Sequence, residues 1–354
     1  MYYPENRGSK RYSSEKSDLK SDPYKLKRYQ DLKSNIESYL SYIEAIKKET
    51  SKAIIGQEEV INSVIKAILS NGHVIIEGVP GVAKTLLIRA VGKATGCSTS
   101  RIQFTVDLLP ADIIGFTSYT KEQGFNVVKG PIFSNFIIAD EINRSTPKTQ
   151  SALLEAMQEK QVTIGKETFK LPIPFFVMAT MNPIESTGVY QLPEAQIDRF
   201  LFKVRIGYPS QEEEIFILDN NINIKMFEEL NIKPACSPER ISEMQNAVKS
   251  VYLNDEVEKY IITIVSATRN SRDYDIKLGK YIEYGASPRA SISLFIAAKA
   301  DALMHGDTFV TPQNVKNVAY ETLRHRIIQN YEGQAEGIKN DDIIKEILSK
   351  IPVP

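Results

Sequence analysis

An α/β domain with a parallel sheet covered by helices on both faces, followed by a smaller all-helical domain, is the fold class that this 354-residue chain predicts. Three observations predict it. Four short apolar runs, "HVIIEG", "SRIQFT", "NFIIAD" and "FFVMATMN", alternate with segments of helical spacing, the pattern of buried parallel strands joined by helical crossovers. A glycine-bearing loop, "GVPGVAKT" at 78–85, stands between the first of those runs and a helix. Beyond about residue 210 the apolar spacing is helical throughout.

Taken in order, residues 1–33 mix Lys, Arg, Ser, Asp and Tyr without apolar periodicity and are expected to form a mobile N-terminal arm. Ile36, Tyr39, Leu40, Ile43 and Ile46 then recur at helical spacing, so ordered structure is expected to begin there, with the α/β domain covering 34–208. A helix over Gln57–Leu69 stops at "SNG", and "TLLIRAVGKATG" is a helix with a glycine stop at Gly96. "STPKTQSALLEAMQEK" is a helix with Pro147 in its first turn. In "KQVTIGKETFKLP", alternating apolar residues around Gly165 make a turn-and-strand pattern. Helical spacing over Gln211–Leu218, Ser237–Leu253, Val257–Thr268, Pro288–Leu303 and Pro312–Leu323 fills the second domain, expected over 209–335, with 336–354 as a C-terminal extension.

Composition narrows the function. Forty-four basic and forty-four acidic residues balance, so the total charge gives no reason to expect nucleic acid or an anionic membrane as partner. Cys97 and Cys236 have no metal-type spacing, and His73, His305 and His325 stand far apart, so all are expected to be structural or surface residues. No run approaches the ~18 apolar residues of a membrane span, and the first residues lack the apolar segment of a signal peptide. No membrane insertion and a cytoplasmic location are therefore expected.

The loop carries the chemistry. A phosphate cradle needs backbone N–H groups turned toward the anion, a helix N-terminus behind them, a lysine for the outer phosphates and a hydroxyl for magnesium. Gly78 and Gly81 supply the freedom, Lys84 the charge and Thr85 the hydroxyl, with Val82, Ala83 and Leu86 alongside. Ala83 stands where the strict pattern has glycine, which costs only if that position needs a positive φ or touches phosphate. "FIIADE" ends a buried strand in Asp140 and Glu141, the order expected when the first carboxylate serves Mg2+ and the second polarises the attacking water. "FFVMATMN" ends in Asn182, suited either to phosphate and water or to a turn before Pro183. Arg199 in "LPEAQIDRF" and Arg289 in "GASPRAS" suit either a surface ion pair or a bidentate phosphate contact.

Together with "RIQFTVDLLPADIIG", "FIIADEINR", "TQSALLEAMQE", "MATMNP", "LPEAQIDRF" and "LRHRI", these features resemble the MoxR family of AAA+ ATPases over about Ile54 to Ile327. The resemblance implies a P-loop AAA+ domain, a helical lid, and an ATPase that uses ATP and Mg2+ to remodel or activate a client protein or complex. It places Lys84 and Thr85 in Walker A, Asp140 and Glu141 in Walker B, Asn182 as sensor 1, Arg199 as arginine finger and Arg289 as sensor 2, with Thr85 and Asp140 serving the metal. "IIGQ" at 54–57 is similar to the segment that packs on adenine, through Ile55 and Gly56, and loops of the family commonly carry "AKT". Self-association into a ring, expected as a hexamer, and a partner with a von Willebrand factor A domain are further implications. "DLLPADIIGFTSYTKEQGFNVVKGPIF" looks like the helix-2 insert of this clade and 160–172 like the hairpin before sensor 1; Lys121, Glu122, Lys166 and Glu167 at their turns are expected to face a client. The rival readings are a metal-chelatase-like motor subunit, a nucleotide-gated binding module with little turnover, and a DNA motor.

Overall fold

The computed structural model describes residues 23–79, 81–121, 124–182, 190–220 and 227–354. Its first helix, α1 (Pro23–Thr50), begins earlier than the apolar spacing from Ile36 suggests. Leu32 is 2% exposed and packs in the same core as Ile43 and Ile46, one helical face on which Ile36 and Tyr39 also lie. Residues 23–33, expected in the arm, are therefore helical, started by a proline that suits a first turn because no N–H is needed there. The remainder of the expected arm lies outside the described residues.

Helix α2 (Glu58–Leu69) leads into β1 (Val74–Gly78), the loop, α3 (Lys84–Ala94) and β2 (Thr99–Gln103). A short α4 (Pro110–Ile114) carries the hairpin β3 (Gly115–Thr120) and β4 (Gly124–Lys129), which precedes β5 (Phe136–Asp140). Helix α5 (Pro147–Glu159) carries a second hairpin, β6 (Gln161–Ile164) and β7 (Glu167–Lys170), before β8 (Phe176–Met181); α6 (Glu194–Ile197), β9 (Phe202–Ile206) and α7 (Gln211–Asn220) follow. Strands β2, β5, β8, β1 and β9 form, in that order, one parallel sheet. Successive side chains of a strand point to opposite faces, and the core divides accordingly. Val74 and Ile76 pack with α2, α3 and the lid, whereas Ile75, Ile137 and Val177 pack with Leu153, Leu154 and Met157 of α5.

The lid comprises α8 (Pro238–Ser250), α9 (Asp255–Arg269), α10 (Pro288–Met304) and α11 (Pro312–Leu323), with two departures from expectation. It is not purely helical: β10 (Ile282–Tyr284) and β11 (Ile328–Gln329) pair antiparallel. Nor does it end at 335. After α12 (Tyr331–Ala335), helix α13 (Asn340–Lys350) buries Ile343, Ile344 and Ile347 completely in the lid core, and Asp341 is ion-paired with Arg324 at 3.1 Å. Burying those three isoleucines is what makes the expected extension an integral part of the lid.

Candidate active site

The carboxyl ends of parallel strands are where open α/β sheets bind ligands. The register brings Gly78 of β1, Asp140 of β5 and Met181 of β8 to that edge. In the loop, Gly78 has no room for a side chain, since a Cβ would stand 2.8 Å from the Ile206 carbonyl of β9. Gly81 faces open space but has φ +87°, the left-handed region that glycine occupies freely. Ala83 also has φ 56° and ψ 25°, so the condition under which an alanine costs energy is met. Ala83 caps α3, whose first turn carries no acidic residue, leaving its N-terminal N–H groups turned to the loop. Lys84 Nζ donates to the Gly78 carbonyl at 2.6 Å, which holds the ammonium across the loop.

Asp140 is buried and has partners on both oxygens. Oδ1 accepts from the Thr180 hydroxyl at 2.6 Å. Oδ2 accepts from the Thr85 hydroxyl at 3.2 Å and from Arg101 Nε and Nη2 at 3.1 and 2.6 Å. Burial pushes this carboxyl upward, but the hydrogen bonds from Thr180 and Arg101, the Arg101 charge and the Thr85 hydroxyl outweigh it and hold the group below the ordinary carboxylate range. It is thus an anion at neutral pH. Thr85 Oγ1 and Asp140 Oδ2 together are hard oxygen donors, a set that suits Mg2+.

Glu141 takes a left-handed turn (φ 55°, ψ 49°), and its N–H donates to Thr180 Oγ1 at 2.9 Å. That turn directs its carboxylate away from Asp140, to accept from Gln103 Nε2 at 2.9 Å and Arg144 Nη1 at 2.8 Å. Asn182, buried, comes directly after β8, the strand between β5 and β1. Lys84, Thr85, Asp140, Glu141 and Asn182 therefore share one edge of the sheet.

Beside the loop lies a groove of about 540 Å3 lined by Ile54, Ile55, Val82, Leu86, Ile217 and Leu230, apolar walls of the kind a purine base needs. Ile55 belongs to it as expected. Gly56 instead lies beneath Glu213, whose carboxylate occupies the place a side chain would take: a Cβ at Gly56 would stand 2.0 Å from Glu213 Oε1.

Arg199 and Arg289 are elsewhere. The Leu201 N–H donates to the His73 carbonyl at 2.8 Å, which sets Arg199 at the amino end of β1. Arg289 heads α10, 3.8 Å from Asp198. Arg199, Arg289, Asp198 and His73 line one cavity. The length of β1, Val74–Gly78, separates His73 at this cavity from the loop that begins at Gly78, ~16 Å of strand. Both arginines are exposed at this far end. The face is held by Arg326 of "LRHRI", 5% exposed, which donates to Asp198 Oδ1 at 2.8 Å and to the Phe200 carbonyl at 2.6 Å, fastening the lid to the α/β domain.

Sequence reading missed Arg101, Gln103, Thr180, Arg144 and Arg326. The first two had a signal: in "RIQ", alternate residues of a strand share a face, and β2 pairs with the strand that ends in Asp140. Of the turn residues expected to face a client, Lys121, Lys166 and Glu167 are exposed, and Glu122 lies outside the described residues. Tyr119 and Phe125 of the first hairpin are exposed too, 63% and 78%, with ring centroids 5.1 Å apart. Among the described residues no three His, Cys, Asp or Glu side chains cluster as a metal site, and no helix is long and apolar enough to cross a membrane.

Comparison with known proteins gives matches over both domains. A family model described as the ATPase family associated with various cellular activities (AAA) matches residues 73–202, and one for the AAA lid domain matches residues 279–347. The chain is 41% identical over 315 residues to Chaperone MoxR1 of Mycobacterium tuberculosis, covering 86% of this chain and 81% of that protein. It is 28% identical over 324 residues to Protein MoxR of Methylorubrum extorquens, covering 87% and 94%. A crystal structure from Cytophaga hutchinsonii, of a protein proposed there to be an ATPase, superposes with a TM-score of 0.85 at 44% identity, over 92% of this chain and 98% of that one.

Proposed function

Because the chain belongs to the MoxR family of AAA+ ATPases, we propose that it hydrolyses ATP to ADP and phosphate with Mg2+ and couples that reaction to remodelling a client protein. One observation carries the reading: the phosphate loop, both carboxylates and Asn182 meet at one edge of the sheet, while Arg199 and Arg289 stand exposed at the other. Such a site is completed only by a second copy of the chain, in a head-to-tail ring.

The loop N–H groups and the N-terminus of α3 receive the phosphates, and Lys84 exchanges its contact with the Gly78 carbonyl for the outer phosphate oxygens. Thr85 and Asp140 would hold Mg2+, which supplies charge neutralisation between the phosphates. Glu141 aligns the attacking water and Asn182 donates to the phosphoryl oxygens. A neighbouring copy contributes Arg199, with Arg289 on the same face, to stabilise charge on the phosphoryl group in transfer. The adenine lies in the groove beside Ile55, between the loop and the segment that carries Ile217 and Leu230. A ring of six, a cytoplasmic location and a partner with a von Willebrand factor A domain complete the proposal. The protruding hairpins are its client-facing elements, since rigid elements hold their turns clear of the nucleotide groove. Phosphate release from ATP tests the core of this: turnover with Mg2+ that stops with EDTA supports it, and none under either condition removes it.

A further inference from the structure

We propose that Arg101 is the resident counter-cation of Asp140, that a divalent metal has to displace it, and that this side chain therefore sets the metal affinity of the site. The inference rests on Thr85 and Asp140 being the Mg2+ ligands or their water-bridged equivalents. Asp140 has a division of labour between its oxygens: Oδ1 belongs to Thr180, and only Oδ2 faces Thr85. On that same Oδ2 Arg101 places two N–H groups, at 3.1 and 2.6 Å. The guanidinium is held there by its strand. Arg101 lies on β2 opposite Ile138, two residues before Asp140, and its Nη2 also donates to Gln103 Oε1 at 2.7 Å.

A cation that engages the Thr85 hydroxyl and Asp140 Oδ2 thus enters a position already neutralised. It must share the oxygen with a like charge or move the guanidinium outward. Arg101 can move: its side chain is 53% exposed, against 11% for Asp140. The exposure also weakens the competition, because solvent screens the pair. Removing the charge should therefore tighten metal binding by about tenfold, which corresponds to about 1.4 kcal/mol. Arg101 is a positioning residue in this account, acting on the metal through Asp140.

The test is binding of Mn2+, as a spectroscopic stand-in for Mg2+, to the full chain with ADP, read from the paramagnetic resonance of free Mn2+. Arg101→Gln should bind Mn2+ about tenfold more tightly than the unaltered protein, with ADP affinity in EDTA unchanged. Arg101→Lys, which keeps the charge, should stay near the unaltered value. Asp140→Asn serves as the control for the site. If it binds Mn2+ as before, the metal reading fails and the inference fails with it. If Asp140→Asn loses Mn2+ while Arg101→Gln binds it no more tightly, the metal site stands and the role of Arg101 is overturned. A fall in ADP affinity in EDTA for Arg101→Gln overturns it as well, because Arg101 would then be holding phosphate.

Discussion

Mixing two inactive variants gives the sharpest test of how the site is assembled. Lys84→Ala removes the phosphate contact from its own pocket, and Arg199→Ala removes the arginine that each copy presents at the far end of its sheet. The strand between the two positions has five residues, ~16 Å, so one subunit's arginine lies out of reach of its own loop. In the proposed ring, each pocket pairs the loop of one copy with the arginine of the next. With equal amounts of the two variants, an active pair needs an Arg199→Ala copy followed by a Lys84→Ala copy, so roughly a quarter of interfaces are complete if assembly is random. Each variant alone should be nearly inactive, since an arginine finger contributes ~10³ or more to the rate. Phosphate release from the co-assembled mixture should therefore recover to about a quarter of the unaltered activity, rise and fall with the product of the two mole fractions, and peak at equal mixing. If Arg199 served its own subunit, no combination would hold a complete pocket. Absence of recovery at every ratio, in oligomers shown to contain both variants, would refute the assignment.

Three further outcomes follow from individual side chains. Ala83→Gly relieves a left-handed alanine worth ~1–2 kcal/mol, offset by ~0.5–1 kcal/mol of extra chain entropy in the unfolded state; the urea midpoint should rise and ADP affinity should not fall, and a lower midpoint would contradict the strain at φ 56°. His73 accepts from the Val177 N–H at 3.0 Å and is buried, which pushes its pKa down to about 4. Because the unfolded chain binds this proton more readily, the contribution of His73 is complete above pH ~6.5 and is lost as the pH falls toward 4, by ~2 kcal/mol at pH 5. The stability gap between the unaltered protein and His73→Asn should narrow by that amount from pH 7 to pH 5; a constant gap would count against it. Serine at both Lys166 and Glu167 should leave ATP turnover unchanged and remove the client protein retained by a hydrolysis-blocked ring, whereas undiminished retention would place the client contact on another surface.

What the sequence made legible were features in which local chemistry and position coincide. "FIIAD" is a fully buried strand, and a pair of carboxylates can follow such a run only at its end, so Asp140 and Glu141 could be placed without knowing the neighbouring strands. The loop was equally readable, because a strand, glycines, Lys84 and Thr85 occur in one continuous stretch. Arg101 and Gln103 were legible only as alternate residues on one face of a strand; what that face meets depends on β2 pairing with β5, a fact carried by the sheet order. The strain at Ala83 escaped for a related reason: alanine has no side-chain signature for a positive φ. Leu32 and the isoleucines of α13 lie in charged surroundings, and only the packing of α1 and the lid turns them into core. The position of Arg289 beside Arg199 is tertiary in origin, fixed by Asp198 and the buried Arg326.

The central claim is that Glu141 acts on water while Lys84, Thr85 and Asp140 hold the nucleotide and its metal. Glu141→Gln separates those roles. Its amide keeps the shape of the side chain but cannot take a proton, and Asp140 keeps its own partners, Thr85, Thr180 and Arg101. Measured side by side, ATP affinity with Mg2+ should stay near that of the unaltered protein, while phosphate release should fall by ~10²-fold or more. Turnover that persists in Glu141→Gln, or ATP binding lost in parallel with turnover, would contradict the account.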